Sequence, residues 1–307
     1  MPACNLGGNG RDGAGWVDGG PGRAHDRAVL GSIEQAVARR APRPEAGAPA
    51  SRALRNFVAA VRASAPPITN LDLLPDGTTS LVFRLLDADR ADLVVLGPKT
   101  RAVYKRVPRF LLAVQVVFRP GGAYPFFGVP MDELADRIVP ARDLWGRRAD
   151  ALLEQLVAVG AGVTRDPARA RLEAIERALE GRMLGPDVFE PASAAVARAA
   201  LRKLSLGGIT VEETASALHV SPRNLRRAFV ATVGVSPKQY ARIARFQRVV
   251  SNAQVARGSW SEIALASGYC DQPHLVREFR ELAGLSPVAF MKRRSTGEIS
   301  GSGGGRG

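Results

Sequence analysis

Residues 221–240 read SPRNLRRAFVATVGVSPKQY, and residues 271–290 read DQPHLVREFRELAGLSPVAF. The two stretches align without a gap. Leu225, Arg227, Phe229, Gly234, Ser236 and Pro237 return at one fixed offset as Leu275, Arg277, Phe279, Gly284, Ser286 and Pro287, and Tyr240 is matched by Phe290. So many identities at one offset mark an internal repeat. Each copy carries its own helix punctuation. Ser221 and Asp271 offer a side-chain oxygen to an orphan backbone N–H and predict a helix start. Gly234 and Gly284 predict the helix end, and the Ser-Pro after each predicts the start of the next helix. Leu225 with Phe229, and Leu275 with Phe279, stand four residues apart and form one apolar stripe. Upstream lie two short segments, Val211–Leu218 and Ser261–Ser267, closed by a tight turn at His219-Val220 or Gly268-Tyr269-Cys270. Each unit is therefore expected to be helix, turn, helix, with Ala215, Ala264 and Ala266 small enough for its two helices to approach closely.

The apolar stripe leaves Arg223, Asn224, Arg226 and Arg227 outward on the second helix of the first unit, and Gln272, His274, Val276, Arg277 and Arg280 outward in the second. Guanidinium, amide and imidazole groups hydrogen-bond base edges and phosphates in a major groove. The expected DNA-binding residues are thus Arg223, Asn224, Arg226, Arg227, Gln272, His274, Arg277 and Arg280. An exposed arginine is ordinarily just a solvated charge, but Arg227 and Arg277 occupy the same place in both copies, which favours a shared role. After Pro237 no Pro or Gly interrupts the chain to about Ala256, and Tyr240, Ile243, Phe246, Val250 and Ala253 recur at three- and four-residue intervals. One continuous spacer helix between the units is predicted.

Charge points to the same partner. The 307-residue chain has a net charge of +14, and residues 191–294 hold 16 Lys and Arg against 6 Asp and Glu, whereas residues 65–150 hold 12 against 10. Clustered positive charge suits a polyanion. No run approaches the roughly 18–20 apolar residues of a membrane span, and the first thirty residues lack a signal-like apolar stretch, so a cytoplasmic, nucleoid-associated protein without membrane contact is expected. Cys4 and Cys270 are too few for a disulfide framework and are read as free thiols, Cys270 as a packed small residue. His25, His219 and His274 show no metal-ligand spacing. No metal and no cofactor are expected. Residues 66–150 contain neither His nor Cys, and no nucleophile–base constellation is apparent, so no catalytic residue is assigned and the chain is not read as an enzyme.

Organisation follows composition. Residues 1–50, with eight glycines in the first 22 and a Pro/Ala-rich stretch at 41–50, are read as a disordered tail and linker, and 295–307 as a disordered tail. Residues 51–150 are expected to form a small β-rich domain. A short helix at about Arg52–Ala63 leads into strands at Ser80–Leu86, Asp92–Leu96 and Phe110–Phe118, separated by Pro75-Asp76-Gly77, Gly97-Pro98 and Pro120-Gly121-Gly122. Asp76 is read as a turn former. Helical patterns follow at Met131–Ile138, Ala141–Val159 and Pro167–Arg182, making 151–190 a helical linker to the two-unit domain at 191–294. The fold class is α+β, a β-rich domain followed by an all-α domain with two helix-turn-helix units. Trp260 is assigned to core packing.

GYCDQPHLVREFRELAGLSP at 268–287, with VSPRNLRRAF at 220–229 as the matching first unit, resembles the C-terminal signature of the AraC/XylS family of bacterial transcription regulators. The resemblance covers about Ala192–Arg294. LPDGTTSLVF at 74–83, FRPGGAYPFFGVPMDEL at 118–134 and LWG at 144–146 are similar to the sensor-type domain of one AraC-like subgroup. The resemblance implies two helix-turn-helix units joined by a long helix, double-stranded DNA as partner, RNA polymerase as a protein partner, and an upstream domain at residues 65–150 for a small-molecule effector or for dimerisation, in a monomer or homodimer. Pro273 stands where family members often carry a polar base-contacting side chain, so the second unit is expected to read fewer bases. His219 stands where glycine is common and is expected to adopt a left-handed backbone. Two other functions fit an AraC-like module: part of a DNA-alkylation repair enzyme, which needs several upstream zinc-binding cysteines where this chain has one, and a DNA-packing protein, whose phosphate contacts carry no sequence information.

Overall fold

The structure, a computed structural model, describes residues 46–47, 51–64, 70–87, 90–106, 110–159, 166–185, 190, 192–255 and 259–295. Of the segments read as disordered, 1–50 and 295–307, residues 1–45, 48–50 and 296–307, with Cys4 and His25, lie outside the described residues, whereas Ala46–Gly47 form a short strand and Ser295 ends the last helix. The N-terminal part is built on an antiparallel sheet. Strands β1 (Ala46–Gly47), β2 (Val58–Ser64), β4 (Ser80–Leu85), β5 (Ala91–Leu96), β7 (Leu112–Phe118) and β8 (Ile138–Pro140) are ordered β1-β2-β7-β4-β5-β8, and β3 (Asn70–Leu73) pairs with β6 (Val103–Arg106) in a separate two-stranded ribbon. In β4 and β7, Leu81, Phe83 and Leu85 lie opposite Val116, Val114 and Leu112, and all six enter one core. They take alternate positions along each strand and so share one face, and Val82, Ala113 and Val117 on the other face are buried as well.

Three expected elements come out differently. The helix predicted at Arg52–Ala63 is a 3-10 turn at Leu54–Asn56 followed by β2, because Val58, Val61 and Ala63 are buried along a strand that pairs with β7 from Val58↔Phe118 to Ser64↔Ala113. Strand pairing overrides the modest helix propensity of its alanines. Met131–Ile138 is a 3-10 turn at Met131–Leu134 and then β8, since Asp136 adopts φ +59 and turns the chain. Ala141–Val159 divides at Gly146 into helices α2 (Ala141–Trp145) and α3 (Arg147–Ala158). A short helix α1 (Tyr124–Phe127) precedes them, and α4 (Pro167–Met183) follows, capped by the Asp166 carboxylate on the Arg169 N–H. The stretch read as a linker is not separate from the sheet, because Leu152, Leu156, Ala174, Ile175 and Leu179 share its core. Trp145 stacks on Phe127 at 5.6 Å and donates its indole N–H to the Phe126 carbonyl.

The C-terminal part is all helix: α5 (Ala192–Leu206), α6 (Val211–Ala217), α7 (Pro222–Val233), α8 (Pro237–Val255), α9 (Trp260–Ala266), α10 (Gln272–Ala283) and α11 (Pro287–Ser295). The predicted spacer is α8, one helix of 19 residues. Two cores hang from it. Its first turns contribute Tyr240, which meets the Phe229 ring edge-on at 5.6 Å, and its later turns contribute Phe246, Val249 and Val250, with Phe246 packed against Phe279 and Phe290. Trp260 is half-buried against the second core, as expected. The second core also takes in Leu74 and Ala102 from the N-terminal part.

Candidate nucleic-acid interface

Both units are built by local hydrogen bonds that the chain repeats. Thr210 caps α6 and Ser259 caps α9, each as a full capping box with Glu213 or Glu262, and Ser221 and Asp271 cap α7 and α10 on the Asn224 and His274 N–H groups. The Thr-x-x-Glu and Ser-x-x-Glu spacing is itself a helix-start signal in the sequence. Gly234 and Gly284 end α7 and α10 at φ +87 and +68, and Ser236 and Ser286 cap the helices that follow. In the turns, the Val220 and Tyr269 N–H groups both donate to the carbonyl of a buried alanine, Ala215 or Ala264. His219 at φ +55 thus corresponds to Gly268 at φ +85, the left-handed turn residue expected of it, and Cys270 is one extra residue in the second turn. Cys270 is exposed there, not packed. Ala266 is also exposed, and Ser267 takes the buried place against the spacer, its hydroxyl accepting from Asn252 at 3.1 Å.

The recognition helices α7 and α10 bury Leu225 and Phe229, and Leu275 and Phe279, and turn their cationic sides to solvent. In the first unit Arg223, Asn224, Arg226 and Arg227 are all exposed. Arg226 lies 3.4 Å from Glu212, a solvent-screened pair that costs little to break for a phosphate. In the second unit Gln272, Arg277 and Arg280 are exposed, and the Gln272 amide oxygen accepts from Ser261 at 3.1 Å. His274 is half-buried with its ring edge-on to Tyr269 at 5.2 Å, and Val276 packs on the second core instead of facing outward. Pro273, exposed in the first turn of α10, offers no donor. The second unit therefore presents fewer polar groups on its outer side than the first.

One group that sequence reasoning passed over organises the second unit from inside. Glu278, on α10 with its side chain only 8% exposed, accepts from Arg245 at 2.8 Å, Arg242 at 3.1 Å and the Tyr269 hydroxyl at 3.0 Å. Burial pushes its carboxyl up, but the hydrogen bonds and charge of Arg245, with Tyr269 and Arg242, outweigh it and hold the group below the usual carboxylate range. Arg245 also lies over the Tyr269 ring, and Arg248 ties the Ser205 carbonyl of α5 and the Ser267 carbonyl of the second unit to the spacer. Among the described residues no group of three or more His, Cys, Asp and Glu side chains could hold a metal ion, and no helix is long and apolar enough to cross a membrane.

Residues 214–293 match a family described as a helix-turn-helix domain (HTH_18), and residues 48–140 match a domain of unknown function, DUF6597. No curated protein matches the chain. Among solved structures it is similar to an AraC-type transcriptional regulator from Chromobacterium violaceum, at 24% identity over 34% of this chain and 95% of that one, with a TM-score of 0.32. It is similar to the DNA-binding domain of AdpA, a global transcriptional factor solved with a target DNA, at 26% identity over 35% of this chain and 96% of that one, with a TM-score of 0.31. It is also similar to ToxT from Vibrio cholerae, at 11% identity over 77% of this chain and 97% of that one, with a TM-score of 0.39. The chain thus carries a region matched by the DUF6597 model followed by a region matched by a helix-turn-helix domain model.

Proposed function

We propose that the regulator reads its operator through both recognition helices at once, with Arg223, Asn224, Arg226 and Arg227 of α7 carrying most of the base contacts and Gln272, Arg277 and Arg280 of α10 fewer. The observation that carries this reading is that the two exposed cationic helix faces hang from one continuous spacer, α8. At about 1.5 Å per residue its 19 residues span roughly 28 Å, close to the ~34 Å between successive major-groove segments on one face of a duplex. His274, half-buried against Tyr269, serves more as a wall of the turn than as a reader. The domain at residues 65–150 receives the input, a small-molecule effector or a second copy of the chain, in a cytoplasmic protein that acts on the nucleoid as a monomer or homodimer and passes its signal to RNA polymerase.

The test is a selection of bound duplexes from random DNA with the full chain, repeated after inserting four residues behind Val250. That insertion lengthens the spacer by about 6 Å and rotates one unit by roughly 40° relative to the other. A bipartite consensus whose specific affinity collapses on insertion is the expected outcome. Selection that returns no consensus would mean a DNA-packing protein, and a consensus unaffected by the insertion would mean that one unit does all the reading.

A further inference from the structure

Residues 97–104 leave strand β5 and run to β6 across the C-terminal ends of both recognition helices. On the first unit, Gly234, which ends α7, lies so close to this segment that an added Cβ would meet Pro98 Cγ at 2.6 Å and the Met131 carbonyl oxygen at 2.7 Å. On the second unit, the Ala102 N–H donates to the Leu282 carbonyl at 2.7 Å and the Tyr104 hydroxyl donates to the Ala283 carbonyl at 2.6 Å. Those two carbonyls belong to the last turn of α10, where the helix itself supplies no partner. Between the two, the Gln239 amide of the spacer reaches the Thr100 carbonyl at 3.4 Å.

The segment is anchored on its own domain. Asp136, at φ +59, accepts from the Thr100 N–H at 2.8 Å and from its hydroxyl at 2.6 Å, while its own N–H donates to the Pro98 carbonyl at 2.9 Å. The Gly97 N–H donates to the Arg137 carbonyl at 3.0 Å. Beyond it, the β3–β6 ribbon places the fully buried Asp72 opposite Tyr104, where Asp72 pairs with Arg293 of α11 at 3.4 Å and that guanidinium sits 4.5 Å from the Tyr104 ring centre.

We propose that residues 97–104 are a strap that fixes the angle between the two helix-turn-helix units, with Tyr104 and Asp136 as positioning residues for operator spacing. A helix tethers two units at a distance but lets each rock about its contact with the spacer. A third body packed against the end of α7 and hydrogen-bonded to the end of α10 removes that freedom. The strap lies at their C-terminal ends, so it leaves the outward arginines uncovered, and any event that shifts the β domain moves both readers together. The inference rests on the reading that both recognition helices face DNA.

The test uses the full chain with Cys4→Ser and Cys270→Ser, carrying spin labels at Ser216→Cys and Ala266→Cys, exposed positions in the first and second units. The label-to-label distance distribution is recorded without DNA, so it reports on the strap even if DNA selection fails. The parent should give a narrow distribution. Tyr104→Phe, which keeps the ring and loses only the hydroxyl, and Asp136→Ala, which frees Thr100, should each broaden it. Asp136→Asn, which keeps an acceptor and tolerates a left-handed backbone, should restore it. On the selected operator, the parent should discriminate against one extra base pair between half-sites by about tenfold, and the two broadened variants by less than about threefold. Should Asp136→Ala fail to fold, Tyr104→Phe decides alone. A distribution as narrow as the parent's in Tyr104→Phe, with unchanged spacing discrimination, overturns the proposal.

Discussion

The two helix-turn-helix units share a sequence pattern, but they are stabilised by different surroundings. The first is closed by α5, whose Ala197, Ala200, Leu201 and Leu204 form its core with Leu225 and Phe229. The second borrows Leu74 and Ala102 from the β domain and builds an internal ion network on Glu278. Position 278 corresponds to Ala228 in the first unit, a buried residue with no charge to satisfy. The difference teaches that a repeat in sequence conserves the parts of a motif that are local, namely caps, stripe and terminal glycine, while its stability is assigned by whatever packs against it.

The largest contrast should come from the two glycines that end the recognition helices. Both have positive φ, so alanine costs about 1–2 kcal/mol at either. Nothing lies within 4 Å of an added Cβ at Gly284, whereas at Gly234 it would strike Pro98 and the Met131 carbonyl. Overpacking of that kind adds about 1–3 kcal/mol. Gly234→Ala is therefore expected to destabilise the protein by about 2–5 kcal/mol and Gly284→Ala by no more than about 2 in denaturant titration. Equal losses would dissolve the contrast.

Next in size is Glu278→Gln. Removing the charge that three donors share should cost about 1.5–3 kcal/mol, read as faster amide exchange in α10 with α7 unchanged. The same group gives a pH signature. Its folded pKa is depressed, so its contribution is present above the ordinary carboxylate pKa and is lost as pH falls through the folded value. The second unit should loosen in acid before the first, and Glu278→Gln should flatten that dependence.

On DNA, Arg227→Ala and Arg277→Ala should each weaken binding to the selected operator by about 1–2 kcal/mol, with the larger loss at Arg227, because the first unit presents more outward polar groups. Thermal melting should hardly change, since both side chains are exposed. A larger loss at Arg277 would reverse the order of the units. The smallest effect is expected from the capping boxes. Thr210→Ala and Ser259→Ala should each cost about 1 kcal/mol of stability, and nearly equally, because the boxes are local and indifferent to what lies beyond the unit.

By itself, the sequence determined what depends on neighbours along the chain. The repeat, the recognition-helix starts at Ser221 and Asp271, the terminal glycines, the left-handed His219 and the uninterrupted spacer were all legible, because caps, turns and helical periodicity act over a few residues. The outward placement of Arg223, Arg226, Arg227, Arg277 and Arg280 was legible for the same reason, since one buried stripe on a helix fixes its opposite face. Only the tertiary structure decided that Val58–Ser64 is a strand, for its partner β7 lies some fifty residues away. Only it turned Val276 inward, made Glu278 the centre of a network with the spacer, and drew Leu74, Ala102 and Tyr104 to the second unit. In each of these the energy comes from burial or hydrogen bonding between segments far apart in the chain, and no local pattern encodes such a pairing.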